Sequence, residues 1–122
     1  DTNDSRESAA IDIANYLIEE QAELHIYDPK VTAQQIFSDL ERITGDNLPQ
    51  LQQKVHIYNS TETIFNYAHA IVILTEWDEF KTYNYIDIKK QMLEPAFIFD
   101  GRNILNPTEI QQIGFQYYGI GK

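Results

Sequence analysis

Five short apolar runs recur along the chain: "ELHIYDP" (23–29), "KVHIYNS" (54–60), "AIVILTE" (70–76), "AFIFDG" (96–101) and "FQYYGIG" (115–121), with helix-patterned segments between them. This alternation restricts the fold more than any other feature. A strand returned to a parallel neighbour by a helix is the arrangement that buries both faces of such runs. The pattern therefore predicts an α/β fold with a doubly wound, mostly parallel sheet and right-handed crossovers. "AIVIL" (70–74) is apolar throughout, which predicts a strand at the sheet centre covered on both faces.

The intervening segments carry helix signals. Asp4 can cap a first helix with Glu7 at the capping-box position, and Ala10, Ile13, Ala14, Leu17 and Ile18 recur at helical spacing up to about Gln21. "TAQQIFSDLERI" (32–43) has Thr32 as its cap and Ile36, Phe37, Leu40 and Ile43 on one side. "TGDNLPQLQQ" reads as a loop or a broken helix, and "TETIFNYA" (61–68) as a helix. "DEFKTYN" and "YIDIKKQM" are two short helical stretches, and "NPTEIQQIG" has proline in its first turn and Gly114 at its stop. The chain opens on a helix, whereas doubly wound domains begin with the central strand. With no initiating methionine, the first strand is expected upstream of Asp1, so the sheet lacks its first central strand.

Composition bounds the partners. The 122 residues, 43% of them apolar, suit one domain with a single core. Nine Lys plus Arg against 19 Asp plus Glu give a net charge of −10, which argues against nucleic acid or an anionic membrane, since both require clustered cations. The longest apolar run falls far short of the roughly 20 residues of a membrane helix. "DTNDSRES" has the character of neither a signal nor a transit peptide, so a cytoplasmic location is expected. There is no cysteine, hence no disulfide, thiolate metal site or thiol nucleophile in this chain.

Ligands on open α/β sheets bind beyond the carboxyl ends of the strands. The residues expected there are Asp28-Pro29-Lys30, Asn59-Ser60, Thr75-Glu76-Trp77 and Asp100-Gly101-Arg102, joined by Ser5-Arg6 at the first helix start. Asp28 could grip a ribose, but the glycine-rich turn of a dinucleotide site is missing, and a turn aspartate is the plainer reading. Glu76 and Asp78 read as helix caps rather than catalytic bases, with Trp77 and Phe80 as packing. His25, His56 and His69 show no helical zinc spacing and read as exposed or satisfied histidines. Tyr83, Tyr85, Tyr117 and Tyr118 read as core edge or interface. Arg6 and Arg102, two of only three arginines, differ. A guanidinium fork beside backbone N–H donors suits a pyrophosphate, while the alternative is a salt bridge of Arg6 with Asp4 or Glu7 and of Arg102 with Asp100.

Four blocks in order, "DTNDSRES", "HIYDPKV", "AHAIVILTEWDEF" and "FIFDGRNIL", resemble the C-terminal, UDP-binding domain of UDP-glucose 6-dehydrogenases, in the UDP-glucose/GDP-mannose dehydrogenase family. More distantly the chain is similar to GDP-mannose and UDP-N-acetylmannosamine dehydrogenases. The resemblance implies a Rossmann-like domain spanning residues 1–122 of an NAD-dependent enzyme that oxidises UDP-glucose to UDP-glucuronate. It implies that Arg102, in "FDGR", binds the UDP-sugar and that Arg6 reaches NAD, which is bound mainly by an N-terminal domain absent here. The family's catalytic cysteine is likewise absent, so no residue here is expected to be catalytic or to hold a metal, and the piece alone is expected to be inactive. Asn103 departs from the arginine that related enzymes often carry there. The remaining domains of the same enzyme are the implied partners, in a homo-oligomeric parent. Because the absent strand would lie between "LHIYD" and "AIVILTE", a gap at those edges, or their pairing with another copy or a rearranged strand, is expected. A non-catalytic oligomerisation module is the competing class.

Overall fold

Each of the five apolar runs forms a strand of four residues: β1 (Leu24–Tyr27), β2 (Val55–Tyr58), β3 (Ala70–Ile73), β4 (Phe97–Asp100) and β5 (Gln116–Gly119). All pairing among them is parallel, as the alternation requires. The structure is a computed structural model that describes residues 9–120. The chain divides into two units, Asp1–Ile64 and Phe65–Lys122, each with its own apolar cluster, so the core expected from length alone is divided.

In the first unit, α1 (Ala9–Glu19) buries Ile11, Ala14 and Ile18 at helical spacing. The expected capping residues Asp4 and Glu7 lie outside the described residues. α2 (Ala33–Thr44) begins where the Thr32 side chain accepts a hydrogen bond from the Gln35 N–H at 3.1 Å. It ends at Gly45, whose φ of 78° is left-handed and whose N–H donates to the Glu41 carbonyl. The "broken helix" reading of the next stretch holds: α3 (Leu48–Gln52) restarts from Asn47, which forms a capping box with Gln50 and is followed by a proline in the first turn. Ile36, Leu40, Leu51 and Val55 join the α1 stripe in the core, where each large aliphatic side chain contributes about 1.5–3 kcal/mol. β1 and β2 pair in register, Leu24 beside Val55 through Tyr27 beside Tyr58.

In the second unit, β4 lies between β3 and β5. A 3-10 turn (Asp78–Lys81), α4 (Tyr85–Gln91) and α5 (Pro107–Ile113) supply the crossovers. Ile73, Ile98 and Tyr117 on one sheet face pack with Ile88, Met92, Ile110 and Phe115. The opposite face leaves Val72, Phe99 and Tyr118 exposed in one cross-strand row, with Phe99 stacked between Phe97 and Tyr118. Among the described residues β3 stands at the edge of its sheet with one face exposed, where its composition predicts a doubly covered centre.

Residues 61–68 form turns in place of the expected helix. Tyr67 has a left-handed φ of 61°, and its N–H donates to the Gln91 carbonyl, while the Ala68 carbonyl accepts from the Leu93 N–H. Backbone bonds to the segment ending α4 thus replace a helical ladder that Thr61, Thr63 and Ile64 support only weakly. Among the described residues, β1 is bonded on one side only, to β2, and β3 on one side only, to β4. No helix among the described residues is long and apolar enough to cross a membrane.

Candidate functional site

Because β3, β4 and β5 are parallel, their carboxyl ends open on one edge of the second unit, where the loops after β3 and β4 meet. β4 ends at Asp100, which is fully buried. Its Oδ2 accepts hydrogen bonds from the Leu105 N–H and the Tyr117 hydroxyl, both at 2.9 Å, and its Oδ1 accepts from the Arg102 N–H at 3.2 Å. The carboxylate thus gathers the loop that follows it. Burial alone would raise its pKa, but donation from the N–H of Leu105, the Tyr117 hydroxyl and the N–H groups of Ile104 and Arg102 holds it below the ordinary value. The Tyr117 hydroxyl responds in the opposite sense: burial, its hydrogen bond to Asp100 and that residue's charge push it up to about 12. Burial and the Asp100 charge also raise Tyr85.

Gly101 turns the chain closely over β3. Its N–H donates to the Ile73 carbonyl at 2.9 Å, and a Cβ there would lie 2.9 Å from that same oxygen, so only glycine fits without displacement. Asn103 follows in the left-handed region with φ 55°, which asparagine tolerates better than most residues. Its Nδ2 donates to the Ile120 carbonyl at 2.8 Å, and its Oδ1 occupies the space that a Cβ on Gly119 would fill. Asn103 therefore fastens the loop to the end of β5. Neither it nor Asp100 stood out in sequence as a loop organiser.

This frame places the Arg102 guanidinium at the strand ends, half exposed. Its Nε and Nη2 donate to the Oε1 of Glu76 at 3.1 and 2.8 Å, so the ion pair is with Glu76 and not with Asp100. The Asp100 carboxylate is turned inward, and of Arg102 it engages the backbone N–H and not the guanidinium. Glu76 is accordingly no helix cap, and Asp78 forms an exposed ion pair with Lys81 while the cap position, Trp77, makes no side-chain cap bond. Phe80 packs against the core as expected. Tyr85 and Tyr117 are buried, Tyr83 packs at the core edge and Tyr118 is exposed. Arg6 and Ser5 lie outside the described residues.

In the first unit, Asp28 accepts hydrogen bonds from the Lys30 and Val31 N–H groups, at 2.7 and 3.0 Å. Its carboxylate is used in its own turn, which is the plainer of its two readings. With no glycine-rich turn in the chain, the described residues do not fit a dinucleotide cradle. A hollow lined by Ile86, Lys89, Glu109 and Ile113 shares no residue with the strand-end loops.

The parallel strands, with an arginine loop at their carboxyl ends, define an α/β domain of the Rossmann-like class, and comparison with known families sharpens it. Residues 1–107 match the UDP binding domain of the UDP-glucose/GDP-mannose dehydrogenase family, and the chain belongs to that family. Among individual relatives, it is 50% identical over 126 residues to UDP-glucose 6-dehydrogenase of Gallus gallus, 45% over 122 residues to that of Drosophila melanogaster and 43% over 132 residues to UDP-glucose 6-dehydrogenase 3 of Oryza sativa subsp. japonica. These alignments take in 99–100% of this chain and 25–27% of each relative, so the chain spans about a quarter of their length.

Proposed function

We propose that this chain is the UDP-sugar-binding domain of an NAD-dependent UDP-glucose 6-dehydrogenase, with Arg102 as a ligand of the UDP-sugar. The reading is supported above all by the loop that carries Arg102. Asp100, Gly101 and Asn103 each fix that loop by a separate contact, and a guanidinium on so determined a backbone loses little freedom when it binds. Only two of its five N–H groups are directed at Glu76, and both meet the same oxygen, leaving a fork able to receive phosphate or ribose oxygens. Glu76 holds the cation in place and yields it to a more highly charged anion, since an exposed ion pair is worth only about 0.2–1 kcal/mol.

NAD, when bound, supplies the hydride acceptor for oxidation of the sugar. In this proposal it is held mainly by residues outside this chain, with Arg6 contributing one contact. The thiol nucleophile also lies elsewhere, since this chain has no cysteine. The domain's own work is binding and orientation of the nucleotide sugar within a homo-oligomeric enzyme.

Titration of the full-length enzyme with UDP-glucose tests the assignment. Arg102→Ala is expected to cost about 1.5–3 kcal/mol, roughly ten- to a hundred-fold in Kd, as a lost charge-assisted contact does. Glu76→Gln, which removes the competing carboxylate, is expected to tighten binding a few-fold. Unchanged affinity in Arg102→Ala refutes the role and leaves Arg102 as half of a surface ion pair, as in an oligomerisation module. Arg6→Ala is expected to weaken NAD binding or slow hydride transfer, and an unaltered NAD constant and turnover refutes that part.

A further inference from the structure

The polar face of the β1–β2 pair carries a second, unrelated cluster. The tripeptide His-Ile-Tyr occurs at residues 25–27 and again at 56–58, and the parallel register sets the two copies side by side, His25 against His56 and Ile26 against Ile57. Ile26 and Ile57 pack on the core of the first unit. Side chains alternate along a strand, so both histidines project from the opposite face, together with Glu23 two residues before His25. The imidazole centroids lie 4.9 Å apart. Both Nε2 atoms converge on one carboxylate oxygen, Glu23 Oε2, at 2.8 Å from His56 and 3.3 Å from His25.

Three ligand atoms, two imidazole nitrogens and a carboxylate oxygen, thus lie within 4.8 Å of one another. Ligands held about 2.0–2.2 Å from a tetrahedral zinc ion stand roughly 3.3–3.5 Å apart, so side-chain movements on the order of 1 Å complete the triangle. The fourth position faces solvent, because His25, His56 and Glu23 have side-chain exposures of 37, 40 and 62%. Tyr58, on the same face, has its hydroxyl 2.6 Å from His25 Nδ1. That contact is the outer support a metal-bound imidazole needs: with Nε2 on the ion, Nδ1 keeps the hydrogen and donates it to the tyrosine oxygen. A chain of net charge −10 also favours cations near its surface.

We propose that Glu23, His25 and His56 form a binding site for a first-row divalent cation, with Zn2+ as the best match and Tyr58 orienting His25. Two imidazoles with one carboxylate select the zinc class over Ca2+ or Mg2+, which take oxygen ligands. The bound ion ties β1 to β2 through side chains, adding to the four-residue ladder.

The chain, freed of metal by a chelator and titrated with ZnCl2 by calorimetry, is expected to bind one equivalent in the micromolar range. Glu23→Gln, His25→Gln and His56→Gln should each weaken binding at least ten-fold, Tyr58→Phe about ten-fold, and His69→Gln not at all. In the unsubstituted chain, Zn2+ must shift the imidazole NMR signals of His25 and His56 and leave those of His69 in place. Absence of that shift, or binding that survives in both histidine variants, overturns the proposal and leaves a carboxylate hydrogen-bonded between two imidazoles.

Discussion

Replacing Asp100 by asparagine is the most searching perturbation of the second unit, since it keeps the volume and changes only charge and hydrogen-bonding sense. In the wild type, one fully buried carboxylate receives the Leu105 N–H and the Tyr117 hydroxyl on Oδ2 and the Arg102 N–H on Oδ1. An asparagine amide can turn its carbonyl toward the first two, but its NH2 then faces the Arg102 N–H, donor against donor. Converting two charge-assisted bonds to neutral ones costs about 1 kcal/mol each, and stranding a partly buried donor about 1 kcal/mol more, for a total of roughly 2–4 kcal/mol. With a urea slope of about 2 kcal/mol/M, the midpoint falls by roughly 1–2 M. The only tryptophan, Trp77, lies in the second unit, so its fluorescence reports the relevant transition. The pH dependence gives a second readout. The folded carboxylate titrates below the ordinary 3.8, so its stabilisation is present above that value and is lost as pH falls through the lowered folded one. The Asp100→Asn side chain has no such proton to take up, and the acid limb should shrink accordingly. A midpoint unchanged within about 0.2 M, a small fraction of the predicted shift, together with an undiminished acid limb, would refute the account of Asp100 as the loop's organiser.

The same site predicts an alkaline limb. Tyr117 titrates at about 12 in the folded chain, above the ordinary 10, so its contribution is intact below pH 10 and disappears as pH rises from 10 through 12. The rise corresponds to roughly 2–3 kcal/mol, and Tyr117→Phe should remove that portion of the loss in unfolding curves taken across this range, leaving the part due to Tyr85, whose hydroxyl is also raised by burial and the Asp100 charge. An alkaline limb unchanged in the variant counts against the Asp100–Tyr117 link. Gly101→Ala places a Cβ against the Ile73 carbonyl at 2.9 Å, which neither backbone can avoid without moving. The expected cost is about 1–3 kcal/mol in urea unfolding, with weaker UDP-glucose binding because the Arg102 loop moves too. A fully stable variant with wild-type affinity would show that the close approach is dispensable.

The elements that the sequence disclosed were those whose signals are local. Thr32 and Gly114 punctuate helices through bonds to their own neighbours, so their positions are readable without knowing what lies across the fold. The failures are all tertiary. The 61–68 segment reads as a helix, yet its backbone is bonded to residues 91 and 93, at the end of α4 and just after it, with the whole of β3 in between. β3 looks like a central strand because composition reports apolar content and says nothing of neighbours, and Val72 is 42% exposed all the same.

The strand-end site divides along the same line. Arg102 was conspicuous as a scarce cation after a strand, but its partner was misassigned, since proximity in sequence favoured Asp100 and the fold supplied Glu76 from the adjacent strand end. Asp100 then took a role that sequence gives no hint of, because only parallel pairing with β5 brings the Tyr117 hydroxyl over it. His25 and His56 make the point most sharply. A search for ligands at helical spacing passes over two histidines 31 positions apart, which the parallel register of β1 with β2 sets side by side. The repeated His-Ile-Tyr puts identical side chains on one face only because β1 and β2 are neighbours in that register, and both facts are tertiary.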